Sequence, residues 1–210
     1  MGIGKTEMIL AGPGTGKTTT LVNRVIELLR SVKDKNQGII LCTFTRKATE
    51  ELTQRIYSKL SMAEVNRVNF LIGTIHSICY ELLSRYSNND YSDYSVLAEG
   101  EQIHFIHSKL KNLGYPTEKG WATSEDLAAI FNKINDQEID INNTDFSSDD
   151  DIQLACNAYP LYRRILERFR LFDFASIQST FLSEIQSNPS FKEKIAADFS
   201  FFFVDEYQDI

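Results

Sequence analysis

The hydrophobic and polar positions along the chain follow two alternating patterns, which predict strands interleaved with helices. Short apolar runs typical of buried strands occur at 39–44, 68–75 and 199–204. Other segments repeat apolar residues at three- and four-residue steps, the spacing of an amphipathic helix face. These residues are Leu21, Val25, Leu28, Leu29 and Val32; Ala48, Leu52, Ile56 and Leu60; Ile78, Leu82, Leu83 and Tyr86; and Ile177, Phe181 and Ile185, before Pro189. Such alternation predicts an α/β fold, with a parallel sheet and helices on both of its faces.

The stretch 87–168 has a different pattern. It opens with the polar, turn-rich sequence Asn-Asn-Asp-Tyr-Ser-Asp-Tyr and then predicts only helices. One covers 103–113, one lies around 127–134 with Ser124 as its cap, and a third follows Pro160. Because no strand pattern is present, we expect an all-helical subdomain inserted into the α/β domain.

One junction between a strand and a helix is rich in glycine. Ile9–Thr18 has the sequence Ile-Leu-Ala-Gly-Pro-Gly-Thr-Gly-Lys-Thr. A turn of this kind points backbone N–H groups at phosphate oxygens, and the helix that begins there adds the positive end of its dipole. The pattern departs from G-x4-G-K-[ST] only at Ala11, where the first glycine belongs. The sequence therefore predicts a phosphate-binding loop, as in P-loop NTPases.

Residues of this loop have expected roles in binding ATP and Mg²⁺. Lys17 would reach the β- and γ-phosphates, and the Thr18 hydroxyl would hold a Mg²⁺ ion that bridges them. The nucleotide-binding set comprises Gly12, Gly14, Thr15, Gly16, Lys17 and Thr18.

The last apolar run ends in Asp205-Glu206-Tyr207-Gln208. Since parallel strands end at one edge of a sheet, we expect these acids beside the glycine-rich loop. Asp205 would hold Mg²⁺ opposite Thr18, and Glu206 would orient or deprotonate the attacking water. Gln208 is placed to contact the γ-phosphate. Together with Lys17, these three residues form the predicted catalytic set for nucleotide hydrolysis.

Charge is distributed unevenly along the chain. The net charge is −7, yet residues 1–60 hold ten Lys/Arg and five Asp/Glu. Residues 86–155, in contrast, hold 4 Lys/Arg and 14 Asp/Glu. We therefore expect a nucleic-acid partner to meet the first part of the chain rather than the middle.

Composition excludes several other classes of protein. No apolar run approaches the roughly 18 residues of a membrane span, and the start of the chain lacks the pattern of a signal peptide. We expect a cytoplasmic protein with no membrane partner. The three cysteines, Cys42, Cys79 and Cys156, are isolated, so neither a disulfide framework nor a zinc site is indicated.

Five segments, in order and spacing, resemble the motifs of UvrD/Rep-type superfamily 1 DNA helicases. They are Ala-Gly-Pro-Gly-Thr-Gly-Lys-Thr at 11–18, Thr-Phe-Thr-Arg-Lys-Ala at 43–48, Gly-Thr-Ile-His-Ser at 73–77, Leu-Phe-Asp-Phe at 171–174 and Val-Asp-Glu-Tyr-Gln-Asp at 204–209. The resemblance covers essentially the whole chain. It implies a RecA-like first motor domain formed by residues 1–86 and 169–210, with the helical accessory subdomain at 87–168.

The same resemblance implies a surface for single-stranded DNA. Hydroxyls, amides and cations at a strand end would meet phosphates, and an aromatic ring would offer a face to an unstacked base. The implied residues are Thr43, Phe44, Thr45, Arg46 and Lys47 in one motif and Thr74 and His76 in another. Core packing of Phe44 and a structural role for His76 remain alternatives. Asp173 and Phe174 match a further segment near the DNA path, where a helix cap and a core aromatic are the alternatives.

The implied function is that of an ATP-dependent DNA helicase that couples ATP hydrolysis to 3′-to-5′ translocation on single-stranded DNA. A second motor domain is the implied partner, because it would bring arginine fingers to the γ-phosphate. This chain alone should then hydrolyse ATP weakly or not at all. The family's adenine-contacting glutamine has no counterpart in the ten residues before Ala11. Alternatives are the helicase half of an ATP-dependent exonuclease, a truncated non-catalytic nucleotide- or DNA-binding domain, and, more weakly, a P-loop kinase.

Overall fold

The structure is a computed structural model of an α/β chain in which the described residues form two compact units. The described residues are 16–32, 37–115, 120–136, 141 and 150–207. The first unit comprises Met1–Ile78 and Glu193–Ile210, and the second comprises Cys79–Lys192. The elements, in chain order, are α1 (Lys17–Ser31), β1 (Gly38–Thr43), α2 (Arg46–Tyr57), α3 (Met62–Val65), β2 (Phe70–Thr74), α4 (Ile75–Tyr86), β3 (Ser95–Leu97), α5 (Glu99–Lys109), a 3₁₀ helix (Leu110–Leu113), α6 (Gly120–Asn135), α7 (Asp150–Phe169), β4 (Leu171–Asp173), α8 (Phe174–Ser187), α9 (Pro189–Asp198) and β5 (Phe199–Val204).

A parallel sheet of strand order β2-β1-β5 forms the centre of the first unit. Its middle strand, β1, is apolar on both faces, and Ile39 and Leu41 are fully buried. Strands covered on both faces are typical of parallel sheets, because helical connections lie over them. The run 68–75 contains β2, the run 199–204 coincides with β5, and the run 39–44 is offset from β1 by one residue at each end.

Close backbone contact fixes the start of β1 at Gly38. A Cβ atom at this position would lie 2.3 Å from the carbonyl oxygen of Asp198 and 2.7 Å from that of Asn69. Only glycine leaves room for the neighbouring strands to approach this closely. Gly38 therefore sets the lateral spacing at the amino end of the sheet.

One face of this sheet is covered by α1 and α2. The predicted apolar stripes pack there, with Leu21, Val25 and Leu29 from α1 beside Leu52 and Ile56 from α2. On the opposite face Ile40 of β1 is buried, whereas Phe202 and Val204 of β5 are 61% and 41% exposed. Helices on both faces therefore remain a prediction for the β5 side.

Helices α5, α6 and α7 surround the core of the second unit, but this unit also contains strands. Ser95–Leu97 pairs in parallel with Leu171–Asp173. The expectation of an all-helical stretch at 87–168 is wrong at β3. A strand of three residues is too short for its alternation to be visible, and its partner lies far along the sequence.

Two predicted helix starts are also wrong. Ser124 does not cap a helix, since α6 begins at Gly120 and Ser124 is fully buried within it. Helix α7 does not follow Pro160 but begins at Asp150 and continues through the proline. Buried residues on both sides of Pro160, including Ala155 and Tyr162, stabilise one continuous helix despite the lost N–H donor.

The last helices agree more closely with the sequence. Helix α8 ends at Ser187, as Pro189 predicts, but α9, which begins at that proline, was not expected. Proline suits the first position of a helix, because its fixed φ is helical and its missing donor is not needed there. The predicted domain bounds, 1–86 with 169–210 and 87–168, stay a prediction.

Candidate functional site

Polar residues gather at the carboxyl edge of the β2-β1-β5 sheet. Thr43 and Thr74 are register partners at the ends of β1 and β2, and Asp205 directly follows β5. The backbone N–H of Asp205 donates to the Cys42 carbonyl oxygen at 2.9 Å, which ties the end of β5 to β1. Residues from three separate segments of the sequence thus meet at one edge.

Helix α1 begins at Lys17, preceded by a glycine in the left-handed region. Gly16 has φ 86° and ψ 21°, a conformation that favours glycine. Its carbonyl oxygen accepts hydrogen bonds from the Thr20 N–H at 2.9 Å and the Thr20 hydroxyl at 3.2 Å. Thr18 lies half-buried in the first turn. Gly12, Gly14 and Thr15 lie outside the described residues, as does the predicted strand before them.

The Lys17 ammonium forms an ion pair with Glu206, its Nζ donating a hydrogen bond to Oε2. Both side chains are partly exposed, at 27% and 38%. The predicted proximity of the lysine and the acids is therefore present in the structure. Gln208, the fourth member of the predicted catalytic set, lies outside the described residues.

Asp205 and Glu206 occupy different environments although they are adjacent. Asp205 is buried, with 7% of its surface exposed. Burial, followed by the neighbouring charge of Glu206, raises the pKa of the Asp205 carboxyl above its ordinary value, while Lys17 opposes this shift. Glu206 is more exposed, and its carboxylate is paired with the Lys17 ammonium.

Glu206 has an unusual backbone conformation, with φ of 53°. Side chains rarely adopt the left-handed region, and holding one there costs about 1–3 kcal/mol. Such strain persists where surrounding structure enforces it, and it is frequent at functional sites. Here it turns the chain directly after β5.

The turn after β1 is organised by three threonines. Thr43 is buried, and its Oγ1 lies 2.6 Å from the Oγ1 of Thr49. Thr45 caps α2, since its hydroxyl accepts a hydrogen bond from the Ala48 N–H at 3.1 Å. The Thr43 hydroxyl is thus engaged within the protein. Thr49 was not predicted, although its position one turn after the cap is a usable signal.

Three other predicted DNA residues of this motif are exposed. Phe44 has 55% of its surface open to solvent, and Arg46 and Lys47 lie exposed in the first turn of α2. The alternative of core packing for Phe44 is therefore wrong. An exposed ring beside two cations suits a nucleic-acid strand, because phosphates and a base can be bound together.

Thr74 and His76 lie at the junction of β2 and α4. The Thr74 hydroxyl accepts a hydrogen bond from the Ser77 N–H at 3.3 Å, and the Ser77 hydroxyl donates to the Thr74 carbonyl at 2.9 Å. His76 is half-buried. A Cβ at Gly73 would lie 2.4 Å from Ser77 Oγ, so a side chain there would displace the Ser77 hydroxyl.

Two groups near the acids were missed by sequence reasoning. Burial raises the pKa of the Cys42 thiol, which is next to the end of β1, to about 11. Glu51 of α2 adds a weaker repulsive contribution to the raised pKa of Asp205, and it is held by Arg55 at 2.5 Å. Glu51 follows the motif 43–48 by one helical turn, so helical spacing is the signal that would have indicated it.

Asp173 in the second unit is structural. It is 1% exposed and accepts hydrogen bonds from the Tyr162 hydroxyl at 2.6 Å and the Gln102 amide at 3.2 Å. It also caps α8 by accepting from the Ser176 N–H at 2.7 Å. The alternative of a helix cap is confirmed for Asp173, whereas Phe174 is 37% exposed.

These features define an α/β protein with a parallel sheet whose carboxyl edge gathers a lysine, two acids and an exposed aromatic-cationic turn. The chain belongs to the UvrD/REP helicase N-terminal domain family, which it matches over residues 2–210.

Curated relatives are similar over almost the whole of this chain. It is 30% identical over 207 residues to DNA helicase II of Haemophilus influenzae, covering 96% of this chain and 28% of the relative. It is 27% identical over 205 residues to the ATP-dependent DNA helicase PcrA of Staphylococcus aureus, covering 96% and 27%. With the yeast Saccharomyces cerevisiae ATP-dependent DNA helicase SRS2 it shares 40% identity over 95 residues, covering 44% and 8%. The chain thus spans little more than a quarter of the length of the first two.

None of the described helices is both long enough and apolar enough to span a membrane.

Proposed function

We propose that this chain is the ATP-binding first motor domain of an ATP-dependent DNA helicase, with a RecA-like P-loop fold. The contact between Lys17 and Glu206, 189 positions apart, is the observation that carries this proposal. It supports a single site formed by the glycine-rich loop and the acids after β5. Membership of a helicase family supports the same assignment.

The donor groups at this edge suit ATP with Mg²⁺. The Asp205 carboxylate and the Thr18 hydroxyl are hard oxygen ligands, and Mg²⁺ needs few protein ligands when phosphates and water complete its shell. Across the described parts of the chain, no group of three or more His, Cys, Asp or Glu is placed to hold a metal ion. The bound ion would supply charge neutralisation on the phosphates.

Phosphate binding and proton transfer are carried out by side chains of this chain. Lys17, on leaving Glu206, binds phosphate oxygens beside the N-terminus of α1. Glu206 then accepts a proton from the attacking water, and the buried Asp205 together with Thr18 would hold the Mg²⁺ ion. Gln208 contacts the γ-phosphate.

The DNA surface is formed by the turn after β1 and the junction after β2. Phe44 stacks on an unpaired base, and Arg46 and Lys47 bind phosphates. The β2 junction contributes Thr74 and His76. ATP hydrolysis then drives translocation along single-stranded DNA, with the 3′-to-5′ direction taken from the family resemblance.

The division into units supports an inserted accessory subdomain. The first unit is made of two sequence segments, and the second lies between them in the sequence with wider bounds than 87–168. A second motor domain completes the cleft and supplies arginines to the γ-phosphate, so the isolated chain hydrolyses ATP poorly.

An equilibrium titration with a fluorescent ATP analogue tests this proposal. The parent chain should bind the analogue in a Mg²⁺-dependent way, and Lys17→Ala should lose this binding. Lys59→Ala is the matched control, because Lys59 is an exposed lysine beyond the far end of α2. A folded Lys17→Ala chain with the parent affinity would refute the assignment of the loop.

A second titration with a single-stranded oligonucleotide tests the DNA surface. Arg46→Gln/Lys47→Gln should weaken binding at least tenfold, and the slope of log affinity against log salt should fall by about 0.7 per lost phosphate contact. Unchanged binding by this variant would remove the turn after β1 from the DNA surface.

A further inference from the structure

Two threonine hydroxyls meet where β1 ends and α2 begins. Thr43, the last residue of β1, is 1% exposed, and Thr49 lies half-buried in the first turn of α2. Their Oγ1 atoms are 2.6 Å apart, so one hydroxyl donates a hydrogen bond to the other. A buried hydroxyl needs such a partner, because leaving its polar atom unsatisfied costs free energy. The strand and the helix are thus joined by a hydrogen bond between side chains.

The acceptors around this pair allow two arrangements of its protons. Each hydroxyl has one proton, and rotation about its C–O bond decides where that proton points. If Thr49 donates to Thr43, the Thr43 proton goes to the Thr45 carbonyl at 3.1 Å or the Gly73 carbonyl at 3.4 Å. If Thr43 donates to Thr49, the Thr49 proton goes to the Thr45 carbonyl, also at 3.1 Å. Rotation of two hydroxyls therefore changes which backbone carbonyl is bound without a change of fold.

The same end of β1 is hydrogen-bonded to the edge that carries the acids. The carbonyl of Cys42, the residue before Thr43, accepts from the Asp205 N–H at 2.9 Å. Asp205 precedes Glu206, whose carboxylate is paired with the Lys17 ammonium. A shift of the acids when a nucleotide binds would therefore act on the end of β1 through one backbone hydrogen bond.

The carbonyl groups that accept from the pair belong to the two segments proposed to bind DNA. Thr45 caps α2 and lies between Phe44 and Arg46, both of which are exposed. Gly73 directly precedes Thr74, the last residue of β2. The pair is thus within hydrogen-bonding distance of the backbone of both segments.

We propose that Thr49 is a positioning residue that couples the nucleotide site to the DNA surface. Its hydroxyl holds Thr43 and the Thr45 carbonyl in place, so nucleotide binding beside Asp205 changes the DNA affinity of the turn after β1. All of these residues lie in the first unit. The inference rests on the proposed function for the two ligands, but it assigns their coupling to a side chain outside both sets of ligand contacts.

A purely local role of Thr49 within its helix is the competing explanation. Its hydroxyl also lies 3.1 Å from the Thr45 carbonyl, four residues earlier, and threonines within helices commonly donate to that position. Such a bond stabilises the start of α2 without involving β1. The distance of 2.6 Å to Thr43 is the shorter of the two, which favours the connection to the strand.

The test compares the affinity for a fluorescent single-stranded oligothymidylate with and without a non-hydrolysable ATP analogue and Mg²⁺. In the parent chain the analogue should change this affinity at least about fivefold, the lower end of typical coupling. Thr49→Val replaces the hydroxyl by a methyl group of similar size and leaves Thr43 two carbonyl acceptors. In this variant the ratio of the two affinities should lie within about twofold of one, because the coupling is lost.

Two variants serve as controls. Thr49→Ser keeps the hydroxyl and should keep the ratio of the parent chain. Thr53→Val makes the matched substitution one helical turn later, where the hydroxyl donates to the Thr49 carbonyl at 2.6 Å inside α2, and should also keep this ratio. By linkage the oligonucleotide must change the affinity for the analogue by the same factor, which the reverse titration checks. Thermal unfolding verifies that each variant is folded.

The outcomes separate this inference from the proposed function. A parent ratio that is retained by Thr49→Val, or lost by Thr49→Ser and Thr53→Val as well, would overturn the role of the Thr49 hydroxyl. If the parent chain binds both ligands but neither changes the affinity for the other, the proposed function stands and the coupling falls. A folded parent chain that binds neither ligand would overturn both.

Discussion

Lys17 at the start of α1 and Glu206 after β5 form an ion pair, so the group expected to bind phosphate is engaged by the group expected to receive a proton. One ammonium cannot serve both partners fully. Binding of a phosphate by Lys17 must therefore be coupled to release of Glu206. The pair itself adds little stability, because partly exposed ion pairs contribute about 0–1 kcal/mol.

This relationship predicts that Glu206→Gln binds nucleotide at least as tightly as the parent chain. The amide is neutral, so Lys17 no longer leaves a charged partner when it turns to a phosphate. We expect a gain in affinity of up to about fivefold, which corresponds to about 1 kcal/mol. Titration with a fluorescent ATP analogue measures it, and an affinity more than tenfold below the parent would contradict the coupling.

The control for this variant is Glu50→Gln, which removes an exposed acid from the first turns of α2 without touching the lysine. Its nucleotide affinity should equal that of the parent chain. In the complete enzyme Glu206→Gln should also stop turnover, because the proton acceptor is lost.

The raised pKa of Asp205 predicts a specific dependence of the free energy of unfolding on pH. Its pKa is raised in the folded chain, mainly by burial, above the ordinary value of 3.8. Between these two values the folded state binds more protons than the unfolded state, so this group makes the free energy of unfolding fall as pH rises through the interval. The destabilisation is fully present above the raised pKa and absent below 3.8.

Asp205→Asn should therefore be more stable than the parent at neutral pH by about 0.5–2 kcal/mol, the usual gain from a single stabilising substitution. The gain should shrink as pH falls through the raised pKa of Asp205, because the parent carboxyl takes up a proton there. Urea unfolding at several pH values measures both. Asp126→Asn, at an exposed position of α6, should give no such pattern. A constant difference at all pH values would contradict the assigned cause.

Much of the first unit was predictable because its strands and motifs have strong local signals. The run 199–204 matches β5, and the meeting of Lys17 with Glu206 follows from the rule that parallel strands end at one edge. The burial of Thr43 could not be predicted, since it depends on the position of Thr49 after folding. The partners of side chains within a turn depend on tertiary packing, which the hydrophobic periodicity of the sequence does not reveal.

The second unit was predicted less well for a related reason. Strand β3 has three residues and exists only because β4 pairs with it, so the information is not local. Pro160 is a strong local signal against a helix interior, but burial of Tyr162 and its neighbours on α7 overrides it.

Substitution of Asp173 by alanine should cause a large loss of stability. Asp173→Ala leaves the buried Tyr162 hydroxyl without its acceptor, removes one of the three acceptors around the Gln102 amide and removes the cap of α8. We expect about 3 kcal/mol of destabilisation, because buried polar groups that lose a charged partner pay their full desolvation cost. Asp173→Asn keeps an acceptor and should lose less. Urea unfolding decides this, and an unchanged midpoint for Asp173→Ala would refute the structural role.

Substitution of glycine by alanine should change stability in opposite directions at two positions, Gly38 and Gly100. At Gly38 the added Cβ would lie 2.3 Å from the Asp198 carbonyl and 2.8 Å from the Phe199 ring, so neighbouring backbone must move. Gly38→Ala should destabilise the chain by about 1–3 kcal/mol, the cost of overpacking. Gly100, in the first turn of α5, has no atom within 4 Å of its added Cβ, so Gly100→Ala should stabilise by up to about 1 kcal/mol through helix propensity. Thermal unfolding of both variants beside the parent measures the difference. Equal shifts in the same direction would mean that the close approach at the start of β1 does not limit the sheet.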